Sequence, residues 1–403
     1  MLNKEKLIYT CERDSDFGAR LIDNLLIPLV KDKERMDSLF AQKLQAEYGH
    51  LLEELAPEWV YGFTEQYIAA QLFGPRRLLK AYMPDRRIQN RSSRERSFLE
   101  AKLFNPWRFA FLRIKEELGR DFFKMHNVLT DETLLLYSPG VGKYEEEGAN
   151  SLYFSLLTFN GECYQTYGPI IPFVGLQPFD LLYFAGQLDH AIAEYSAVDA
   201  KLQEDPLPFM LLVVSSRFPL SYHKDDQLVI SLTKLPLASL DVERWRDAFK
   251  IEKQKGVYQF TLKRWGRHPH FAHCHYAPDD GVFVASAGTD RAWKRLVDEI
   301  RAQGVELDGE PRIYTTVMGR IAAQRVLGRS GAKSPYADLF IPEVTPAEQE
   351  GLDRANYFLS LLVPYLNEGR DYDLGKLAAE ADLAYEEAQI IEEQVVKTLK
   401  KMR

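Results

Sequence analysis

The spacing of apolar residues changes near Asn127, and this change most constrains how the chain can fold. Before it, apolar residues recur every three or four positions from Phe17 to Leu29 and from Met36 to Leu55. That spacing is typical of amphipathic helices. After it, short apolar runs alternate with turn residues, which is typical of sheet. The sequence therefore predicts an α+β fold in which helices precede a mixed, largely antiparallel sheet.

Capping and turn residues indicate where individual helices and strands begin and end. Ser92 and Glu95 form a capping-box pattern at a helix start. Asn160-Gly161 predicts a hairpin turn, because both residue types tolerate positive φ. The stretch 107–118 fits a strand by the alternation of its aromatic residues and a helix by its aliphatic spacing. Further strands are predicted at 134–137, 152–159, 163–167, 209–215, 228–233, 258–263 and 313–316, with a hairpin over 271–287 and helices from 289 and 317.

Chain length predicts about two or three domains, since single cores rarely grow beyond about 250 to 300 residues. We expect a helical domain over 1–125 and a sheet-rich α+β region over 126–335, which a further boundary near 205 would split into two subdomains. A helical C-terminal domain should follow over 336–403, and its apolar spacing resembles a helix-turn-helix.

Several classes of protein are disfavoured by the sequence. No stretch approaches the roughly 18 to 20 uninterrupted apolar residues that span a bilayer, and the first residues lack the pattern of a secretory signal. Cys11, Cys163 and Cys274 are far apart and form no paired-spacing metal motif. These features predict a cytoplasmic protein of a reducing compartment, with no membrane association.

Charge is unevenly distributed along the chain. The formal net charge is -8, yet the stretch from Pro75 to Arg96, here called the basic segment, sums to +6. Its only acids are Asp85 and Glu95. Such a segment predicts contact with a nucleic acid or another polyanion, or an internal docking surface for the acidic C-terminal tail. The alternative interpretation is a solvated face or one that forms ion pairs within the chain. The predicted polyanion-binding residues are Arg76, Arg77, Lys80, Arg86, Arg87, Arg91, Arg94 and Arg96.

The last 66 residues, from Asp338 on, are acidic, with 14 acidic and 7 basic side chains. Glu386, Glu387, Glu392 and Glu393 lie where a helix-turn-helix would place its recognition helix, and nucleic-acid phosphates would repel them. We therefore expect these helices to pack or to bind a protein partner.

Four of the eight histidines lie within the stretch 268–275, here called the histidine segment. Neutral imidazole is a common metal ligand, so His268, His270, His273 and His275 are candidate ligands of a divalent metal. Pro269 disfavours a continuous strand. The sequence predicts a loop over 266–270 and then a strand on which His273 and His275 share one face. A third ligand could come from the 268–270 loop, from Asp279 and Asp280, or from the turn at 223–226.

The spacing of His268, His270 and His273 resembles the first metal-binding motif of the metallo-β-lactamase-like hydrolases, over six residues only. Ala272 stands where that motif has an aspartate, and no histidine follows His275. The sequence is therefore not assigned to that family. The alternative interpretation is that these imidazoles form hydrogen bonds on a polar sheet face, and that Cys274 is a small buried apolar residue.

No complete catalytic or cofactor signature is present. The stretch 138–143 lacks the first glycine and the magnesium-binding hydroxyl of a P-loop. Two functional hypotheses remain. The first is a binding or regulatory protein whose basic segment contacts an anionic partner, and the second is a metal-dependent hydrolase with its site in the histidine segment.

Overall fold

The computed structural model describes residues 4–143, 151–216, 222–223, 226–265, 270–328, 346–368 and 370–402. Residues 1–335 form one compact unit and residues 336–403 a second. Helices come first, a sheet-rich middle follows and the C-terminal end is helical, so the predicted α+β class is confirmed.

The N-terminal region is helical up to Phe104. A π-helical stretch, Gly18–Leu26, joins the first two helices, and a capping box of Ser92 and Glu95 begins the last one, as the sequence predicts. The helices are α1 (Lys4–Phe17), α2 (Ile27–Glu34), α3 (Met36–Tyr48), α4 (Pro57–Phe73), α5 (Leu79–Tyr82), α6 (Arg86–Gln89) and α7 (Ser93–Phe104).

A closed five-stranded barrel follows. Its neighbours run in the order β1-β2-β3-β5-β4 around to β1, with β3 parallel to β5 and every other pair antiparallel. This is the strand order of the Greek-key barrel known as the OB-fold. The elements are β1 (Arg108–Gly119), β2 (Phe122–Asn127), β3 (Thr133–Tyr137), α8 (Pro139–Gly142), β4 (Leu152–Phe159) and β5 (Tyr164–Phe173).

Alternating residues of β1 divide between two cores. Ala110 and Leu112 belong to the core inside the barrel, whereas Phe109 and Phe111 belong to a core shared with the N-terminal helices. The ambiguous stretch is therefore strand, although it lies within the range predicted as a helical domain. The predicted division of 1–335 at 125 and near 205 stays a prediction.

The stretch 209–215 is helical, so the predicted strand there is wrong. It forms the end of α11 (Leu207–Met210) and a 3-10 turn (Leu211–Ser215), after α9 (Pro178–Leu188) and α10 (Tyr195–Glu204). Five of its six apolar residues are buried, and a continuous apolar run has no periodicity that separates a strand from a buried helix. Pro206 and Pro208 favour a helix start, because proline fits the first turn.

A second, six-stranded sheet has the order β13-β8-β12-β11-β10-β9, with all neighbours antiparallel. Helix α12 packs on one face. The elements are the ribbon β6 (Tyr222–His223) and β7 (Asp226–Gln227), then β8 (Val229–Pro236), β9 (Phe249–Gln254), β10 (Val257–Leu262), β11 (Ala272–Ala277), β12 (Val282–Ala287), α12 (Asp290–Ala302), β13 (Ile313–Thr316) and α13 (Val317–Val326).

Asp180 ties this sheet to α9. Its buried carboxylate accepts hydrogen bonds from Gln177 N at 2.8 Å, Thr316 N at 2.7 Å and the Thr315 and Thr316 hydroxyls at 2.9 and 3.0 Å. Burial raises the pKa of Asp180, while these hydrogen bonds lower it. Four donors satisfy the buried oxygens, which explains how a carboxylate can remain in this position.

The second unit contains α14 (Pro346–Glu368), α15 (Leu374–Glu380) and α16 (Tyr385–Met402) around a core that includes Phe358 and Leu362. Glu386, Glu387 and Glu393 are exposed on α16. The predicted role of these helices in binding a protein partner stays a prediction. Among the helices described in either unit, none is long and apolar enough to cross a bilayer.

Candidate functional site

The basic segment is held in place by its apolar residues. Leu79, Tyr82 and Ile88 are buried in the core of the helical region, and the Tyr82 hydroxyl donates to Glu34 Oε1 at 2.8 Å. Six of the eight cations are exposed and two, Arg91 and Arg96, are partly exposed. Buried anchors and outward cations together form a positively charged surface on a fixed backbone.

The two acids of the segment are already engaged. Asp85 caps α6 by accepting from Arg87 N, and its carboxylate also pairs with the Arg87 guanidinium and with Lys33 Nζ at 2.9 Å. Hydrogen bonds from these cations hold the pKa of Asp85 well below its usual range.

Glu95 accepts from Ser92 N and Ser92 Oγ, at 3.0 and 2.8 Å, and lies 3.6 Å from Arg20. These contacts, led by the Ser92 hydroxyl, lower the pKa of Glu95. Neither Asp85 nor Glu95 therefore leaves a free negative charge on the surface.

Most cations of the segment form no ion pair with any described residue. Within the described residues, only Arg87 of the eight forms an ion pair. Arg76 donates to Gln71 Oε1 at 3.0 Å, and Arg96 donates to the carbonyl oxygens of Gln89 and Arg91. Solvated arginines that are not used in ion pairs can bind phosphate oxygens without first breaking an internal contact.

The histidine segment has a different structure. His273 and His275 lie on the same face of β11, as predicted, whereas Cys274 and Tyr276 face the core under α12. His273 is half-buried and its Nδ1 lies 3.0 Å from Thr261 Oγ1 on the neighbouring strand. His275 is only 4% exposed.

Burial makes both of these imidazoles weak bases. It lowers the pKa of His273, and together with the nearby His273 it lowers the pKa of His275 to about 4. Both rings are therefore neutral near pH 7. A neutral imidazole can form hydrogen bonds on a sheet face and can also bind a metal, so the protonation state does not distinguish the two roles.

His270 lies apart from that pair. Its Nδ1 is 3.1 Å from Thr289 Oγ1, and its Nε2 is 3.6 Å from Asp226 Oδ2. Asp226 was a candidate third ligand, but its carboxylate is also paired with Arg291. An arginine on the same oxygen competes with a cation for that carboxylate.

Among the described residues, no group of three or more His, Cys, Asp or Glu side chains is arranged to hold a metal. His268 lies outside those residues, so the predicted metal site stays a prediction. Asp279 and Asp280 lie in the turn between β11 and β12. Cys274 is fully buried, and burial raises the pKa of its thiol, which makes it a poor nucleophile.

Two features were not predicted from sequence. Adjoining clefts of about 720 and 530 Å³ lie along α12 and share Arg301, but their linings mix acidic and basic side chains. Cys11 and Cys163, far apart in sequence, are in contact. No local sequence pattern could have indicated this contact, because it joins α1 to the turn before β5, 152 positions further along the chain.

The comparisons with known proteins give no assignment. No family model matches the chain, and no curated protein or solved structure matches it either.

Proposed function

We propose that the protein binds nucleic acid through the phosphate backbone, using the basic segment. The observation that carries this proposal is the set of exposed cations there, of which only Arg87 forms an ion pair within the described residues. Cations that pack against neighbouring helices commonly form ion pairs, so the seven that form none with the described residues favour an external anion.

The composition of the segment supports phosphate as the ligand. Seven of its eight cations are arginines. The guanidinium group donates in a fork that matches two phosphate oxygens, and it is more weakly hydrated than an ammonium. The rest of the molecule is acidic, so a polyanion would be directed to this surface and repelled elsewhere.

The shape of the segment supports backbone recognition rather than base reading. Helices α5 and α6 have four residues each, which is too short to lie along a groove as a recognition helix. The β2 and β3 face that OB-fold barrels use for oligonucleotides carries Phe122 and Leu135, which pack with Leu7 of α1. We therefore expect binding with little sequence preference.

The test is a titration of labelled 20-nucleotide single-stranded RNA and double-stranded DNA with the full chain, at several salt concentrations. If about five phosphates are contacted, affinity should fall about 100-fold between 50 and 200 mM salt. The variant with Arg86, Arg87, Arg91 and Arg94 all changed to Glu should lose at least about 100-fold in affinity at 100 mM salt.

A charge-matched control variant separates the effect of the basic segment on affinity from the effect of the net charge. Lys234, Lys255, Lys294 and Arg312 are exposed cations outside the segment. Changing these four to Glu alters the net charge equally and should leave affinity within about threefold. Absent binding, binding independent of salt, or equal losses in both variants would overturn the proposal. Binding to heparin but to neither nucleic acid would also reject it.

A further inference from the structure

Cys11 and Cys163 form a buried pair of thiols. Their sulfur atoms are 3.4 Å apart, although the residues are 152 positions apart in sequence. Cys11 lies on α1, and Cys163 lies in the turn that leads into β5. Both side chains are fully buried or nearly so, at 0% and 1% exposed. The pair therefore joins the N-terminal helix to the barrel.

Asn160 orients the two sulfurs. Its Nδ2 lies 3.3 Å from Cys11 Sγ and 3.6 Å from Cys163 Sγ. Its Oδ1 accepts from Glu162 N and Cys163 N, both at 2.9 Å, which fixes the turn. The contact with Cys11 lowers the pKa of Cys163 against the opposing effect of burial, with a smaller contribution from Asn160, whereas the contact with Cys163 and burial raise the pKa of Cys11. These contacts favour a thiolate on Cys163 over one on Cys11.

The surrounding contacts hold α1 against the barrel next to Cys163. Leu7 and Cys11 pack in one cluster with Phe122 and Cys163. Gln165 Nε2 donates to Cys11 O and Ser15 Oγ, both at 3.1 Å. A disulfide places its sulfurs about 2.05 Å apart, so forming one here requires the two sulfurs to approach by about 1.4 Å.

We propose that Cys11 and Cys163 are a redox-controlled cross-link, oxidised to a disulfide by hydrogen peroxide. The Cys163 thiolate attacks one peroxide oxygen, the O–O bond breaks, and the products are a sulfenic acid and hydroxide, which takes up a proton as water. Cys11 sulfur then attacks the Cys163 sulfur and displaces a second water. In total, two thiols and one peroxide give one disulfide and two waters.

Cys274 provides an internal control. It is as deeply buried as Cys11, but it lies on β11 between cross-strand neighbours Phe260 and Ala285. Burial raises the pKa of its thiol. If burial alone protected thiols in this protein, all three cysteines would resist peroxide equally. The proposal requires Cys11 and Cys163 to react together while Cys274 remains reduced.

The experiment treats the full chain, freed of reductant, with hydrogen peroxide and follows it by intact mass and by thiol titration after unfolding. The expected result is a fall from three thiols to one, a mass loss of two hydrogen atoms, and a cross-linked peptide containing Cys11 and Cys163. The cross-link should raise the melting temperature of the unit that contains the barrel by roughly 5 °C. Reduction should reverse both changes.

Variants sharpen the test. Cys274→Ala should leave formation of the cross-link unchanged, and Cys11→Ala or Cys163→Ala should abolish it. Asn160→Asp keeps the oxygen that fixes the turn and removes the Nδ2 donor, so oxidation should slow at least threefold. The proposal is overturned if Cys274 is consumed first, if the thiols gain oxygen without cross-linking, or if peroxide leaves all three thiols intact under conditions that oxidise an exposed thiol.

Discussion

The basic segment and the histidine segment are both rich in residues that could bind a ligand, yet the first is mostly exposed and the described residues of the second are buried or half-buried. In the basic segment six of the eight cations are exposed, and seven of the eight form no ion pair within the described residues. In the histidine segment, His273 and His275 lie on a sheet strand, where burial keeps them neutral.

The difference shows that enrichment in sequence does not by itself indicate a site. Arginines around short helices remain in solvent, because the helices bury only their apolar residues. On β11, an interior strand with β10 and β12 as neighbours, His275 is buried and His273 is half-buried, on the face opposite the core under α12. A free charge at the surface is available to a partner, whereas a buried neutral ring is available only to its neighbours.

Metal binding by the histidine segment would have the largest effect, because it would make that segment a functional site and a structural zinc contributes on the order of 10 kcal/mol to folding. We expect protein purified without chelators to hold less than about 0.1 zinc, iron or manganese per chain, with no change of stability in EDTA. Elemental analysis and thermal unfolding check this. Near-stoichiometric metal that disappears in a His273→Ala, His275→Ala double variant would instead establish the metal-dependent enzyme as the better hypothesis.

Substitution of His275 by Ala should have the next largest effect. It removes a ring that is 4% exposed from a packed sheet, and large-to-small changes in such positions cost about 3 kcal/mol of unfolding free energy. His190→Ala is the matched control, since His190 is exposed, and should change stability by less than about 0.5 kcal/mol. Urea unfolding measures both. Equal effects would show that His275 is not a structural residue.

The stability of the first unit should fall as pH drops through the window from about 6.5 to 4. The pKa of His275 is lowered from 6.5 to about 4 on folding, so the unfolded chain takes up a proton that the folded chain does not. Stability from this group is present above pH 6.5 and is lost progressively below it, by about 2 kcal/mol between pH 7 and 5. His273 shifts in the same direction.

Carboxyl groups also titrate near the lower end of that window, so the measurement is a difference between two proteins. Unfolding of the wild type and of His275→Gln should be compared at pH 7, 6 and 5. The variant should lose less stability than the wild type over this range. Parallel curves would contradict the assignment of the effect to His275.

The smallest effect is expected in the basic segment. Arg86→Ala combined with Arg94→Ala removes two exposed cations without ion pairs in the described chain. Stability should change by less than about 0.5 kcal/mol, while affinity for RNA should fall about tenfold. Thermal unfolding and the RNA titration, run on the same preparation, separate the two quantities. A large loss of stability with unchanged affinity would make these arginines structural.

Much of the local structure could be predicted from the sequence. Helical spacing in the first hundred residues, the capping box at Ser92 and the hairpin at Asn160-Gly161 all reflect interactions between residues a few positions apart. The shared face of His273 and His275 follows from the two-residue repeat of a strand. The strand predicted at 209–215 was wrong for a local reason as well. An apolar run without polar residues has no periodicity that distinguishes a strand from a helix.

The tertiary structure decided what the sequence left open. The sequence by itself determined most of the helices and strands, the position of several turns, and the dense positive charge within an acidic chain. Only the fold determined that the barrel closes, that most cations of the basic segment lie in solvent without an ion pair among the described residues while His275 is buried, and that Cys11 contacts Cys163. The physical reason is range: periodicity and turn chemistry act over a few residues, whereas burial and distant contacts depend on how the whole chain packs.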